Sequence, residues 1–408
     1  MKRAFIACLV AVAFGSVGCD ADKPASPPNT AAPSAAPSAT PAAAPAAAPV
    51  KPPAPVTPDG AALFKKAEGL LHSKGVDLAG AAAAYTEACD AGFGRGCAAL
   101  GLLVQDGRGV ERDIQRATQL YDKACQAGAG VGCFNLGLMA LSGNGVARDT
   151  AAADGQFARA HTVYTKACDS GDGGACLNLA FLYEQGFGVD KDVGKAKALD
   201  DKGCAAGEQD ACASAGLLAL QGGDKAGITA IEASCKKNSP VGCRILAQIW
   251  FRGAHEVEKD VDGALEAAKR GCQLGERSAC SFLGALLAQA NGPVAQVRPL
   301  LERACLLGDS GACLAYASSH KGAPTVAGVW ILRACDIGDP EGCLYAAGLP
   351  TATPEQSADR IARACQMHFP RACGQMVEAG RPLPMLPRDA TTMKKTLCDD
   401  GLQAACAR

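Results

Sequence analysis

Twenty cysteines constrain this chain more than any other feature. They stand at 89/97, 125/133, 168/176, 204/212, 235/243, 272/280, 305/313, 335/343, 365/373 and 398/406, and every pair reads C-x7-C. Consecutive pairs begin 30 to 43 residues apart. A fixed internal period of that size marks a stacked-repeat architecture. Within one continuous helix, residues eight apart lie about 12 Å from each other at 1.5 Å rise per residue, whereas a disulfide needs Cα atoms within about 7 Å. If the pairs are bridged, one helix must end and another begin inside each x7.

The intervening residues agree. Three positions after the first cysteine stand Gly92, Gly128, Gly171, Gly207, Asn238, Gly275, Gly308, Gly338, His368 and Gly401, types that tolerate the left-handed conformation closing a helix. Just before the second cysteine stands Gly or Ala, as at Gly96, Gly132, Ala175 and Ala211, which lets two helices approach. Zinc favours shorter ligand spacings such as C-x2-C; neither that spacing nor a C-x-x-C-H haem motif occurs. Disulfides are therefore expected at Cys89–Cys97, Cys125–Cys133, Cys168–Cys176, Cys204–Cys212, Cys235–Cys243, Cys272–Cys280, Cys305–Cys313, Cys335–Cys343, Cys365–Cys373 and Cys398–Cys406. Each would clip the last turn of one helix to the first turn of the next.

Between clips the chain reads as a helical hairpin. After Cys97 comes an Ala- and Leu-rich helix, then Gly107 and Gly109, then Asp113 as cap of a second helix with Ile114, Ala117, Tyr121 and Ala124 on its apolar face. The unit recurs from Cys133 with Gly143, Gly145 and Asp149, and from Cys176 with Gly186, Gly188 and Asp192. The unit after Cys133 carries about seven extra residues near 152–158. Over 97–204 this pattern resembles the Sel-1-like repeat family, A-x-x-L-G-x-x-Y-x-x-G-x-G-V-x-x-D followed by a second helix bearing Ala and Tyr. Later units keep the cysteine pair and lose the glycine turn, as where Pro350 and Pro354 replace it. With its cysteines, the chain over about 60–408 resembles the cysteine-rich, tetratricopeptide-like subgroup. The resemblance implies an all-α, right-handed solenoid of about ten disulfide-clipped hairpins: an opening helix pair, nine units and a stub after Cys406. Repeats in such arrays touch only their neighbours.

The N-terminus has a different composition. Lys2 and Arg3 precede a dozen apolar residues, too few to span a bilayer; this reads as a secretory signal over 1–18. Ser16-Val17-Gly18-Cys19 resembles a bacterial lipobox, with Ser16 in the usual Leu position, so Cys19 is the expected lipid-attachment residue. The following stretch, to residue 58, is mostly Ala, Pro, Ser and Thr and reads as a disordered tether, leaving 59–408 for the repeats. Signal removal changes the net charge from −1 to −1 − 2 = −3, without the basic excess nucleic-acid binding needs. The expected location is the bacterial cell envelope, exported and lipid-anchored.

Chemistry is sparse. The five histidines are scattered and no H-E-x-x-H occurs. His320, Tyr183 and Trp250 share a packing position on first helices, and Phe134, Phe181, Phe251 and Phe282 read mainly as hairpin core, with lining of a concave face as the alternative. The subgroup resemblance implies penicillin binding or weak β-lactamase activity. Two S-x-x-K tetrapeptides, Ser234–Lys237 and Ser318–Lys321, occur without S-D-N or K-T-G, so no catalytic, cofactor or metal residue is assigned. The expected function is a monomeric scaffold that binds a protein or peptide in the envelope, with the β-lactam-directed protein as runner-up.

Overall fold

The computed structural model describes residues 58–399 apart from short stretches at 74, 144–145, 147–148, 290–292, 321–322, 368 and 385–386, together with Leu402 and Ala405. The proposed signal, Cys19, the proposed tether and Cys406 lie outside the described residues.

Among these residues the chain forms twenty helices and no strand. An opening pair, α1 (Pro58–His72) and α2 (Leu78–Asp90), is followed by α3 (Gly94–Asp106) and α4 (Ile114–Gln126), α5 (Gly130–Ser142) and α6 (Thr150–Asp169), α7 (Gly173–Gln185) and α8 (Val193–Ala205). Next come α9 (Gln209–Gln221) and α10 (Gly227–Lys236), α11 (Pro240–Arg252) and α12 (Val261–Gln273), α13 (Arg277–Gln289) and α14 (Val294–Leu306). The array ends with α15 (Ser310–Ser318) and α16 (Pro324–Asp336), α17 (Pro340–Ala347) and α18 (Pro354–Gln366), α19 (Pro370–Glu378) and α20 (Pro387–Asp399). This is the expected all-α solenoid: an opening pair and nine hairpins.

The joints follow one recipe. Nine C-x7-C pairs, from Cys89–Cys97 to Cys365–Cys373, are disulfides with Cα separations of 4.2 to 4.7 Å. Cys398 is also disulfide-bonded; its expected partner Cys406 is not described. All eight described residues at the closing position, Gly92 through Gly338 with Asn238 among them, have φ between +68° and +99°. The residue before the second cysteine is small because the preceding helix is close: a Cβ on Gly132 would stand 2.5 Å from Tyr121 O and 2.6 Å from Cys125 N.

The hairpin turns are equally local. Asp113, Asp149 and Asp192 cap α4, α6 and α8 as their positions suggest, each accepting from a backbone N–H three residues on at 2.9–3.0 Å. The seven extra residues lengthen α6 to 20 residues against 13 for α4, two added turns at 3.6 residues per turn. Alanines, cysteines and the tyrosines Tyr85 and Tyr121 fill the core between layers.

The expectation that repeats touch only their neighbours does not hold. Arg108 Nε donates to Leu306 O at 3.1 Å, Arg112 Nε to Asp336 O at 3.2 Å, and Arg303 Nη1 to Ser73 O at 3.0 Å. The turns of the opening pair and of the first hairpin therefore sit against the seventh and eighth joints, and the array closes one superhelical turn in about six hairpins. The cause is cumulative: each hairpin adds a small rotation, and ten are enough to bring the later ones back over the first.

Candidate functional site

Odd-numbered helices pack on one another across hairpins, as α3 on α5, α7 on α9 and α9 on α11. Even-numbered helices scarcely do so. The odd helices thus occupy the shorter, inner radius. Arg95 at the start of α3 even reaches Asp172, the cap of α7, at 2.7 Å, passing over α5.

Three large apolar side chains stand open on this inner set: Leu102 on α3, 39% exposed, Phe181 on α7, 42% exposed, and Tyr345 on α17, 38% exposed. Leu102 and Phe181 occupy the same repeat position, five residues after the second cysteine. Phe181 belongs to an aromatic group with Phe134 at 5.9 Å and Phe187 at 6.1 Å between ring centroids, and Phe134 packs on Phe157 at 5.6 Å. The core reading holds for Phe282, 2% exposed, with Phe251 set edge-on against it at 5.6 Å. It fails for Phe181, which stays 42% exposed although its ring meets Phe134 and Phe187.

A ladder of basic residues runs along the joints. Two positions before the first cysteine stand Lys123, Lys166, Lys202, Arg270, Arg303, Arg333 and Arg363. Lys123 pairs with Asp90 at 3.1 Å and Lys202 with Asp169 at 2.7 Å, each one joint back. Arg270 donates to Lys236 O at 2.9 Å and Arg363 to Cys335 O at 3.0 Å. Cations are favoured at helix C-termini, where carbonyls lack intrahelical partners. At the seventh joint Arg303 reaches across to Ser73 O.

This seam between turns buries charged groups. Asp106 and Arg108 are both buried and 3.9 Å apart. Burial pushes the Asp106 carboxyl up to about 6, opposed by Arg108, Arg277, Arg112 and Arg333. Burial lowers Arg108 to about 10, opposed by Asp106. Arg333 lies 6.0 Å from the Trp330 ring centre, with Nε and Nη2 enclosed and without a hydrogen-bond partner.

Two clefts flank the turn that carries Arg108. One, of about 340 Å³, has Leu71, Leu102, Val241, Leu274 and Leu307 as apolar walls, with Arg108, Glu276 and Arg277 at its edge. The other, of about 650 Å³, is walled by Gln105, Asp106, Arg112 and Leu141 from the first turn and by Asp336, Ile337, Arg363 and Gln366 from the second.

The S-x-x-K serines are poorly placed for nucleophilic attack. Ser234 is 1% exposed and its Oγ donates to Ala230 O at 2.8 Å. Ser318 is exposed but likewise donates to Leu314 O at 2.8 Å, and its companion Lys321 is outside the described residues, as is His368. Tyr183 and His161 meet at 3.0 Å, and His320 Nδ1 lies 2.9 Å from Tyr316 O. Among the described residues no group of three or more His, Cys, Asp or Glu could hold a metal ion, and no helix is long and apolar enough to cross a membrane.

Fold and joints together define a disulfide-clipped helical-repeat scaffold. The particular repeat follows from comparison: the Sel1 repeat model matches residues 94–128, 130–153 and 174–207, so the chain carries Sel1 repeats over its first three units. No curated protein matches. Among solved structures, a protective antigen of uropathogenic Escherichia coli displaying an SLR fold is 21% identical, over 85% of this chain and 78% of that one, with a TM-score of 0.40. A Sel1 repeat protein from Oxalobacter formigenes is 23% identical, over 61% and 97%, with a TM-score of 0.35. An immunity protein from Pseudomonas aeruginosa is 17% identical, over 64% and 86%, with a TM-score of 0.32.

Proposed function

We propose that this chain is a lipid-anchored cell-envelope protein whose inner repeat surface binds another protein or peptide. Residues 1–18 act as the signal, Cys19 carries the lipid, 19–58 is the tether, and 59–408 is the binding solenoid. The observation that carries the binding reading is the exposure of Leu102 and Phe181 at one repeat position on the inner helices; on the outer helices the exposed large apolar residues are the valines Val193, Val261, Val294, Val326 and Val329. Aromatic side chains in a concave, pre-organised surface are favoured anchors for a partner. The disulfides suit an oxidising compartment. The β-lactam reading draws no support from Ser234, which is buried and hydrogen-bonded.

In-cell crosslinking with the full chain followed by pulldown tests the scaffold reading: one enriched protein is expected, lost with Phe181→Ser. A chain that captures nothing enriched, or captures the same protein in the variant, counts against the inner face. Metabolic labelling with an alkyne fatty acid should mark the chain and fail with Cys19→Ser; equal labelling of both would remove the anchor.

A further inference from the structure

We propose that the cleft between the two superhelical turns takes the carboxylate of a peptide, gripped by Arg112 from the first turn and Arg363 from the second. The inference rests on the protein-binding reading for its class of partner and adds where and by what group that partner is held.

Charge is the first argument. Arg108, Arg112, Arg333 and Arg363 gather around two carboxylates, Asp106 and Asp336, with the exposed Asp359 at the edge. Asp106 is matched by Arg108 at 3.9 Å, and Asp336 by Arg363 at 3.6 Å. Arg112 spends its Nε on a neutral carbonyl, Asp336 O. Arg333 behind it has two enclosed nitrogens with no hydrogen-bond partner. Guanidinium does not shed its charge in proteins, and uncompensated charge in a half-buried space is costly. The seam therefore holds more cations than anions, and an added anion relieves it.

Geometry and wall chemistry narrow the anion. A guanidinium presents a planar fork that matches a carboxylate, and the Arg112 Nη groups are not used by any protein acceptor described. The amides of Gln105 and Gln366 can pair with a peptide backbone, while Leu141 and Ile337 offer apolar contact beside them. A cleft of about 650 Å³ suits a few residues of chain. Because its walls come from opposite turns, occupancy also ties the turns together.

The test uses the mature full chain and a random hexapeptide pool labelled at its N-terminus. Three pools are compared by anisotropy: free C-terminal carboxylate, amidated C-terminus, and amidated with Glu as the last residue. The free acid should bind about tenfold tighter than the plain amide, and the Glu pool reports whether a side-chain carboxylate serves equally. The preference should vanish in Arg112→Gln and in Leu141→Trp, which fills the cleft and leaves every arginine of the seam in place. Equal binding of acid and amide, no binding of any pool, or a preference that survives in Leu141→Trp would overturn the proposal. Capture of the crosslinked partner by wild type and Arg112→Gln alike, with no acid preference, would sink the cleft and leave the scaffold reading standing. Acid-selective binding with no captured partner would do the reverse.

Discussion

Arg108 donates its Nε–H to Leu306 O across 3.1 Å, although 198 residues separate them in the chain. The bond joins the turn after α3 to the end of α14 and is one of three that close the superhelix. Its guanidinium is buried with Asp106. Removing one member of a buried pair leaves the other charge without compensation.

Arg108→Ala should therefore destabilise the chain by about 3–5 kcal/mol, measured by urea unfolding at neutral pH. Arg108→Met with Asp106→Leu should cost much less, because neither charge remains. Amide exchange at 303–308 should rise in the single variant; unchanged exchange there would show that the seam is not held by this residue.

Asp200 gives a pH dependence with a definite sign. It is buried, accepts from Ser214 Oγ at 2.6 Å through Oδ2, and has no partner for Oδ1. Burial raises its carboxyl from 3.8 to about 7, the Ser214 bond opposing. A raised carboxyl favours folding when protonated, so its contribution is complete below pH 4 and is lost as pH rises through 7. The loss is of the order of 2–4 kcal/mol, at about 1.4 kcal/mol per pH unit. Asp200→Asn should flatten the melting temperature between pH 4 and 8 and raise it at pH 8. A parallel decline in both proteins would exclude Asp200 as the source.

The clips should act one joint at a time. Replacing Cys272 and Cys280 together by Ser removes a nine-residue closed loop and should cost about 2–3 kcal/mol. Exchange protection should fall mainly in α12 and α13, with the joint at Cys125–Cys133 unaffected. Protection lost evenly along the array would mean that the clips act globally.

Much of this fold is legible in the residues because its rules are short-ranged. A left-handed closing residue at Gly92 or Asn238, a capping Asp113 and a paired cysteine eight residues on each act within two helical turns. The lengthening of α6 could be counted directly from the chain. The exposure of Phe181 was not read there, although it stands five residues after the second cysteine and Phe282 only two, which sets them on different faces of their helices. The recurrence of Lys or Arg two places before seven of the ten first cysteines was a visible signal for the joint ladder. Nothing adjacent to Arg303 announces that it turns to Ser73.

The amino-acid sequence alone determined the helical hairpins, their clips and their number, because each depends on contacts within about forty residues. The tertiary structure decided that the array bends back on itself after about six hairpins, burying Asp106 and Arg108 and opening a cleft between Arg112 and Arg363. That outcome sums small rotations over every joint, and no single repeat encodes the total.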